Sequence, residues 1–142
     1  METKGCQVHK LVADVCLIAD GKVLLVRYRD TSGYDGQKGW FLPDDYLHHS
    51  EHPADAARRI LEEQAGLQAP EIDLGPLESF EGHGYWHLIF HYQARLSNPP
   101  QATPGRNVLA LEWFPLDALP SADDVAHGGW ALETLQSILS RS

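Results

Sequence analysis

Residues 40–67, WFLPDDYLHHSEHPADAARRILEEQAGL, hold a turn, a helix start, a charged helix and a glycine stop in one run. Pro53 suits the first helical position, where a missing N–H costs nothing, so His52 becomes the cap and Asp55 falls in the first turn, where a carboxylate complements the helix dipole. Gly66 ends the helix as a left-handed residue. Everything else in the chain is read as the frame that holds this segment.

The side-chain order of the run resembles the Nudix box, the signature of hydrolases acting on nucleoside diphosphates linked to another moiety. Glu51, Arg59, Leu61, Glu63, Gly66 and Leu67 fall in register, and Trp40, Phe41, Leu42, Pro43, Pro53 and Ala56 agree with the same alignment. Four positions depart from it. Asp45 stands where the box begins with Gly, Asp44 where another Gly precedes it, Ile60 where a Glu follows the Arg, and Gln64 where a second Glu ends the pair. The resemblance implies an α/β protein, a Nudix-like α/β/α sandwich with a mixed β-sheet, over a single domain of residues 1–142 with its box at 45–67.

Composition narrows the partners. A chain of 142 residues is long enough for one buried core. The formal charge of −9, from 20 acidic against 11 basic residues, argues against a nucleic acid polymer as partner, because no basic run compensates for it. Cys16 lies in an apolar run and reads as a buried free thiol. No apolar run reaches the roughly 18 residues of a membrane span, and METKGCQVHK lacks the apolar core of a signal peptide, so the expectation is a cytoplasmic protein with no membrane partner.

Outside the box the chain reads mostly as strands. LVADVCLIAD and KVLLVRYR flank Asp20-Gly21, a hairpin signal because Gly tolerates positive φ. In the second strand Val23, Leu25 and Arg27 alternate with Leu24, Val26 and Tyr28. Arg27 is a candidate phosphate contact or an exposed strand-end arginine, and Trp40 and Phe41, entering the box as a short strand, are candidate substrate contacts. A further strand is expected around 77–81. YWHLIFHYQARL is the most β-like run; His87 and His91 share one face with Ile89, either as ligands to a metal or as satisfied partners on a mixed surface. A Pro-rich loop at 97–106, a strand at 108–114 and a helix at 123–139 weakened by Gly128-Gly129 complete the chain. Trp86 or Trp113, if solvent-facing, would allow a homodimer.

Helix geometry puts residues 60, 63 and 64 on one face. In the family, carboxylates on that face hold metal; here the triplet is Ile60, Glu63 and Gln64. Magnesium or manganese needs only one or two protein carboxylates, so Glu63 remains a candidate metal ligand and catalytic residue, with Asp44 and Asp45 as replacement ligands, as groups that repel phosphate, or as solvated side chains. Gln64 offers a carbonyl but cannot act as a base. Glu51 is a candidate for catalytic assistance, yet the resemblance implies an ion pair with Arg59 that fixes the loop against the helix. His48, His49 and His52 add nitrogen ligands or a solvated loop. Ile60 is expected to line the cleft with Ala56. Three functions remain open: a divergent hydrolase of nucleoside diphosphate derivatives or nucleotides with a weakened metal site, a non-catalytic module binding a small nucleotide-like ligand, and a protein-interaction domain.

Overall fold

The computed structural model describes residues 9–69, 71–82 and 84–140. Strands β1 (His9–Ala19) and β2 (Lys22–Tyr28) form the expected hairpin. Asp20 and Gly21 take φ of 48° and 70°, the positive values that a two-residue turn of this hand requires. A short β3 (Asp44–Tyr46) pairs with the start of β1, and helix α1 (Pro53–Ala65) follows. Next come β4 (Asp73–Gly82), β5 (Tyr85–Leu96), β6 (Val108–Pro115) and α2 (Ala126–Ser140).

The strand order is β4-β5-β1-β2-β6, with β3 on β1. All but one of the pairings are antiparallel; β1 and β5 run parallel in register from His9↔Trp86 to Ala19↔Leu96. The sheet is therefore mixed. Alternation along β1 buries both of its faces. Val15 and Leu17 pack with Ala57, Leu61 and Ala65 of α1, while Cys16 and Ile18 pack with Ala131, Leu135 and Ile138 of α2. A central strand apolar on both sides needs a helix on each side, which makes the α/β/α sandwich. Burial pushes the Cys16 thiol up to about 12, so it is an inert core residue at neutral pH.

Helix α1 is capped as its residues demand. The His52 side chain accepts from Ala54 N–H at 3.0 Å, Pro53 opens the helix, and Gly66 closes it at φ 66° with its N–H on Glu62. The remaining carbonyls at that end are taken by the Pro-rich loop: Thr103, Gly105 and Arg106 N–H reach Ala65, Gln64 and Glu63 at 3.0, 2.9 and 2.9 Å. The loop is a backbone cap on the box helix. A Cβ on Gly105 would run into the Glu63 carbonyl. Gly105→Ala is expected to cost about 1–3 kcal/mol in urea unfolding; an unchanged midpoint would show that the loop is not clamped there.

Three local expectations change. Trp40 and Phe41 make single bridges, to Val125 and Val26, and the strand itself lies at Asp44–Tyr46. His127, Gly128 and Gly129 all have positive φ, so regular helix in α2 starts only beyond them. Ile60 does not line the cleft: it is fully buried with Ala13 and Ala56, because its position on α1 faces the sheet. Trp86 is 39% exposed, whereas the Trp113 indole donates to the Pro100 carbonyl at 3.2 Å and is half-buried.

Candidate functional site

Arg59 is the centre of the box. Its Nε donates to Glu51 at 2.9 Å, and one terminal nitrogen donates to both Asp45 at 3.0 Å and Glu63 at 3.1 Å. The other terminal nitrogen reaches the Tyr46 carbonyl at 2.9 Å and Glu51 again at 3.1 Å. Burial alone would lower the Arg59 pKa, but Glu51 and Asp45 outweigh it and raise it. The hydrogen bond from Arg59 in turn holds the Glu51 carboxyl below its usual range. Loop, strand β3 and helix are thus joined through one cation.

Beside it lies a polar knot of Tyr28, Asp44 and Gln64. The Tyr28 hydroxyl donates to Gln64 Oε1 at 2.8 Å and accepts from Asp44 N–H at 2.9 Å, while Gln64 Nε2 donates to the Asp44 carbonyl oxygen at 2.8 Å. Both ends of Gln64 are spent on backbone and tyrosine. Asp44 is only 5% exposed and stands in the wall of the larger hollow beside this knot. Burial and the nearby Asp14 raise its carboxyl well above the ordinary carboxylate range.

A divalent cation does not fit this donor set. Among the described residues no group of three His, Cys, Asp or Glu side chains converges as a metal site. Glu63 and Asp45 share one arginine nitrogen, Gln64 is turned inward, and Ile60 is in the core. The neighbouring histidines do not change this. His52 caps α1 through its Nδ1, Glu51 accepts from the backbone N–H of His48 at 2.9 Å, and no His side chain among the described residues joins a three-ligand cluster.

Two adjoining hollows open beside the box and share Gly33, Tyr34, Asp45 and Tyr46. The larger, about 450 Å³, has aromatic walls from Tyr34, Phe41, Phe80 and Trp130, with Glu78, Lys10 and Asp44 among its polar groups. The smaller, about 400 Å³, is lined by Glu63, Gln64, His48, Asn107 and Arg106. Among the described residues Arg106 makes no ion pair. Its place is set by the backbone cap on α1 and by Asn107, whose amide ties to the Asp30 backbone at 2.9 Å in both directions.

Behind the larger hollow lies a buried relay. His91 Nδ1 meets the two Asp14 oxygens at 2.8 and 2.9 Å, its Nε2 meets Glu78 Oε1 at 2.6 Å, and the Trp130 indole donates to the same oxygen at 3.1 Å. Burial alone would lower the His91 pKa; the hydrogen bonds it makes to Asp14 and Glu78 outweigh that and carry it to about 9. The His91 hydrogen bond holds Glu78 below its usual range. His91 is thus favoured in its protonated form by the two acidic side chains it bonds.

The structure gathers Asp45, Glu51, Arg59 and Glu63 at one point and puts Phe41, Asp44 and Asp45 on the larger hollow. Arg27 and Trp40 line neither hollow; the guanidinium stacks 4.8 Å from the Trp40 ring, with its buried Nε unpaired among the described residues. Of the two readings of His87 and His91, the structure gives satisfied partners, since His87 Nε2 bonds the Gly82 carbonyl at 3.1 Å and both His91 nitrogens are occupied. Sequence reasoning passed over Asp14, Glu78, Trp130 and Arg106. The available signal was Asp14, a lone carboxylate in an otherwise apolar strand.

This geometry, a mixed sheet sandwiched between two helices of which one is the capped box helix, is that of the Nudix class. The family model described as NUDIX domain matches residues 8–133, and the chain belongs to that family. Among solved structures it is similar to a MutT NUDIX hydrolase from Burkholderia pseudomallei, at 21% identity and a TM-score of 0.74 over 91% of this chain and 97% of that one. The NUDIX domain of Shewanella oneidensis NrtR, solved in complex with ADP ribose, aligns at 20% identity and a TM-score of 0.77 over 95% and 89%. A C. elegans Ap4A hydrolase, solved as a binary complex, aligns at 17% and 0.67 over 94% and 99%. At these identities the likeness establishes the fold. No curated protein sequence matches significantly.

Proposed function

We propose that the chain is a Nudix-fold module that binds a nucleotide-like ligand without hydrolysing it. The observation that carries this reading is the capture of Asp45, Glu51 and Glu63 by the single guanidinium of Arg59. Pyrophosphate cleavage in the family draws on divalent metal held by box carboxylates to neutralise phosphate charge and orient water. In this chain the one carboxylate on that helical face, Glu63, shares an Arg59 nitrogen with Asp45, while Ile60 is in the core and Gln64 is bonded to the Asp44 backbone. The ring of the ligand enters the aromatic hollow, and its diphosphate lies toward Arg106, the cation of the adjoining one. That ADP ribose is bound by the similar NUDIX domain of NrtR makes it the first probe.

Calorimetry with ADP ribose, paired with chromatography of the same mixtures with and without magnesium or manganese, tests the reading. The expected result is saturable heat and no product. Arg106→Gln should weaken ADP ribose binding by roughly tenfold and leave adenosine binding unchanged, since one charge-assisted contact is lost. Metal-dependent product that disappears in Glu63→Gln would overturn the proposal and establish the hydrolase instead. Absence of heat with every nucleotide would leave the protein-interaction reading.

A further inference from the structure

Within that ligand-binding reading, Glu78 is a side chain held in an unusually determined state. It stands on β4 and lines the larger hollow, half-exposed. Its Oε1 receives two donors, His91 Nε2 at 2.6 Å and Trp130 Nε1 at 3.1 Å. His91 cannot turn away, because its other nitrogen is fixed between the two oxygens of Asp14 and both residues are almost fully buried. Among the described residues no protein donor is recorded for Glu78 Oε2.

The walls around this carboxylate are flat and aromatic. Phe80 stacks on His87 with ring centres 4.8 Å apart and planes 7° apart, and Phe80 is 43% exposed. Trp130 bonds Glu78 at one side, and Tyr34 and Phe41 also line the hollow. Such surfaces favour a planar ring.

Charge removes the main alternative occupant. A phosphate in this hollow would face Glu78, Glu81 and Asp45, and the one lysine there, Lys10, is already 3.9 Å from Asp35. An aliphatic group would take water from Glu78 and give no hydrogen bond in return, which is costly for an ionised acceptor. What satisfies both the walls and the carboxylate is a flat heteroaromatic ring with an N–H at its edge.

We propose that Glu78 is the ring-reading residue of the cleft: its Oε1 is consumed by His91 and Trp130, and its Oε2 accepts from an amino group or ring N–H of the bound base. Asp14 and His91 are positioning residues that act through Glu78. The aromatic hollow therefore selects nucleotides whose base carries an exposed amino donor over those whose base does not.

The test compares ADP with purine riboside diphosphate, which differs only in lacking the exocyclic amino group, by calorimetry on the wild-type protein and on Glu78→Gln. The wild type should bind ADP about tenfold or more tightly, the range expected of one hydrogen bond to a charged group. In Glu78→Gln the amide keeps its oxygen for His91 and turns its NH₂ to the ligand, so the preference should vanish or invert. Because the ratio is taken within each protein, a general loss of affinity cancels. Should Glu78→Gln fail to fold, Glu78→Ala serves in its place, with the same expected loss of preference. A wild type that binds both ligands equally, or a Glu78 variant that keeps the preference, overturns this assignment while leaving the module's ligand binding intact. If neither ligand binds the wild type, both readings fall together.

Discussion

Arg59→Ala should melt about 10 °C below the wild type and should, unlike the wild type, be partly rescued by a divalent cation. The first expectation follows from what the residue holds. Arg59 and Glu51 have side chains 15% and 16% exposed, with Asp45 and Glu63 at 33%, so removing the cation leaves three carboxylates close together and poorly hydrated. Breaking such a cluster by deleting one partner costs about 3 kcal/mol, which in a domain of this size is roughly the stated shift. The second expectation follows from geometry. Asp45 and Glu63 both point an oxygen at one Arg59 nitrogen, from 3.0 and 3.1 Å. A cation in its place needs only a small inward movement. Calcium, with bonds of about 2.3–2.6 Å and flexible coordination, fits better than magnesium, which demands about 2.0–2.1 Å. Differential scanning fluorimetry with and without millimolar calcium is the measurement. An equal calcium response in both proteins would mean that Arg59 does not occupy a cation's place, and an unchanged melting temperature would mean that the cluster contributes nothing to folding.

His91→Leu should be comparably damaging, and the double variant Asp14→Leu/His91→Leu markedly less so. The single change strands Asp14, 2% exposed, as an unpaired buried carboxylate, at a cost of about 3–5 kcal/mol. The double change removes both buried partners and leaves hydrocarbon in an apolar strand. The same cluster makes stability depend on pH. His91 titrates near about 9 in the folded protein against an ordinary 6.5, so its contribution is complete below about 6.5 and is lost as pH rises through 9. Glu78 has the opposite sign: its lowered pKa adds stability above the ordinary 4.5, which is lost as pH falls through the depressed folded value. Burial raises Asp14, so ionising it past 3.8 costs stability, and the proton on His91 offsets that cost. Both favourable contributions are present between about 4.5 and 6.5, and that of His91 alone declines as pH rises toward 9. Urea unfolding across this range should show the alkaline decline in the wild type and a flatter limb in the double variant. A decline of equal size in both would place its origin elsewhere.

What could be read from the chain was what is encoded locally. Asp20-Gly21, His52-Pro53 and Gly66 each determine backbone geometry within a few residues, and each does so as expected. The Glu51–Arg59 pair was legible through the family resemblance, which implies it, and the structure holds it at 2.9 Å. The relay was not, since Asp14 and His91 are 77 residues apart and meet only through the parallel pairing of β1 with β5. Arg106 was equally hidden: its position comes from backbone hydrogen bonds to the end of α1, which side-chain identity does not announce. Ile60 shows the reverse limit. Its spacing placed it with Glu63 and Gln64, yet the helix turns that side chain into the core and leaves Glu63 partly exposed.

The parallel seam between β1 and β5 has a consequence for how the chain reaches this state. Strands that meet across 77 residues can pair only after a long closure whose entropy is spent before any contact repays it. Slow refolding for a chain of this size is the expected result in stopped-flow, with the β1–β2 and β4–β5 hairpins available as local units. Until the seam closes, Asp14 and His91 each remain in water, and their mutual attraction helps to set the register only at the last step. The charged pair is then a latch on the rate-limiting event: it does not hasten the search, but it slows escape once the two halves of the sheet have joined.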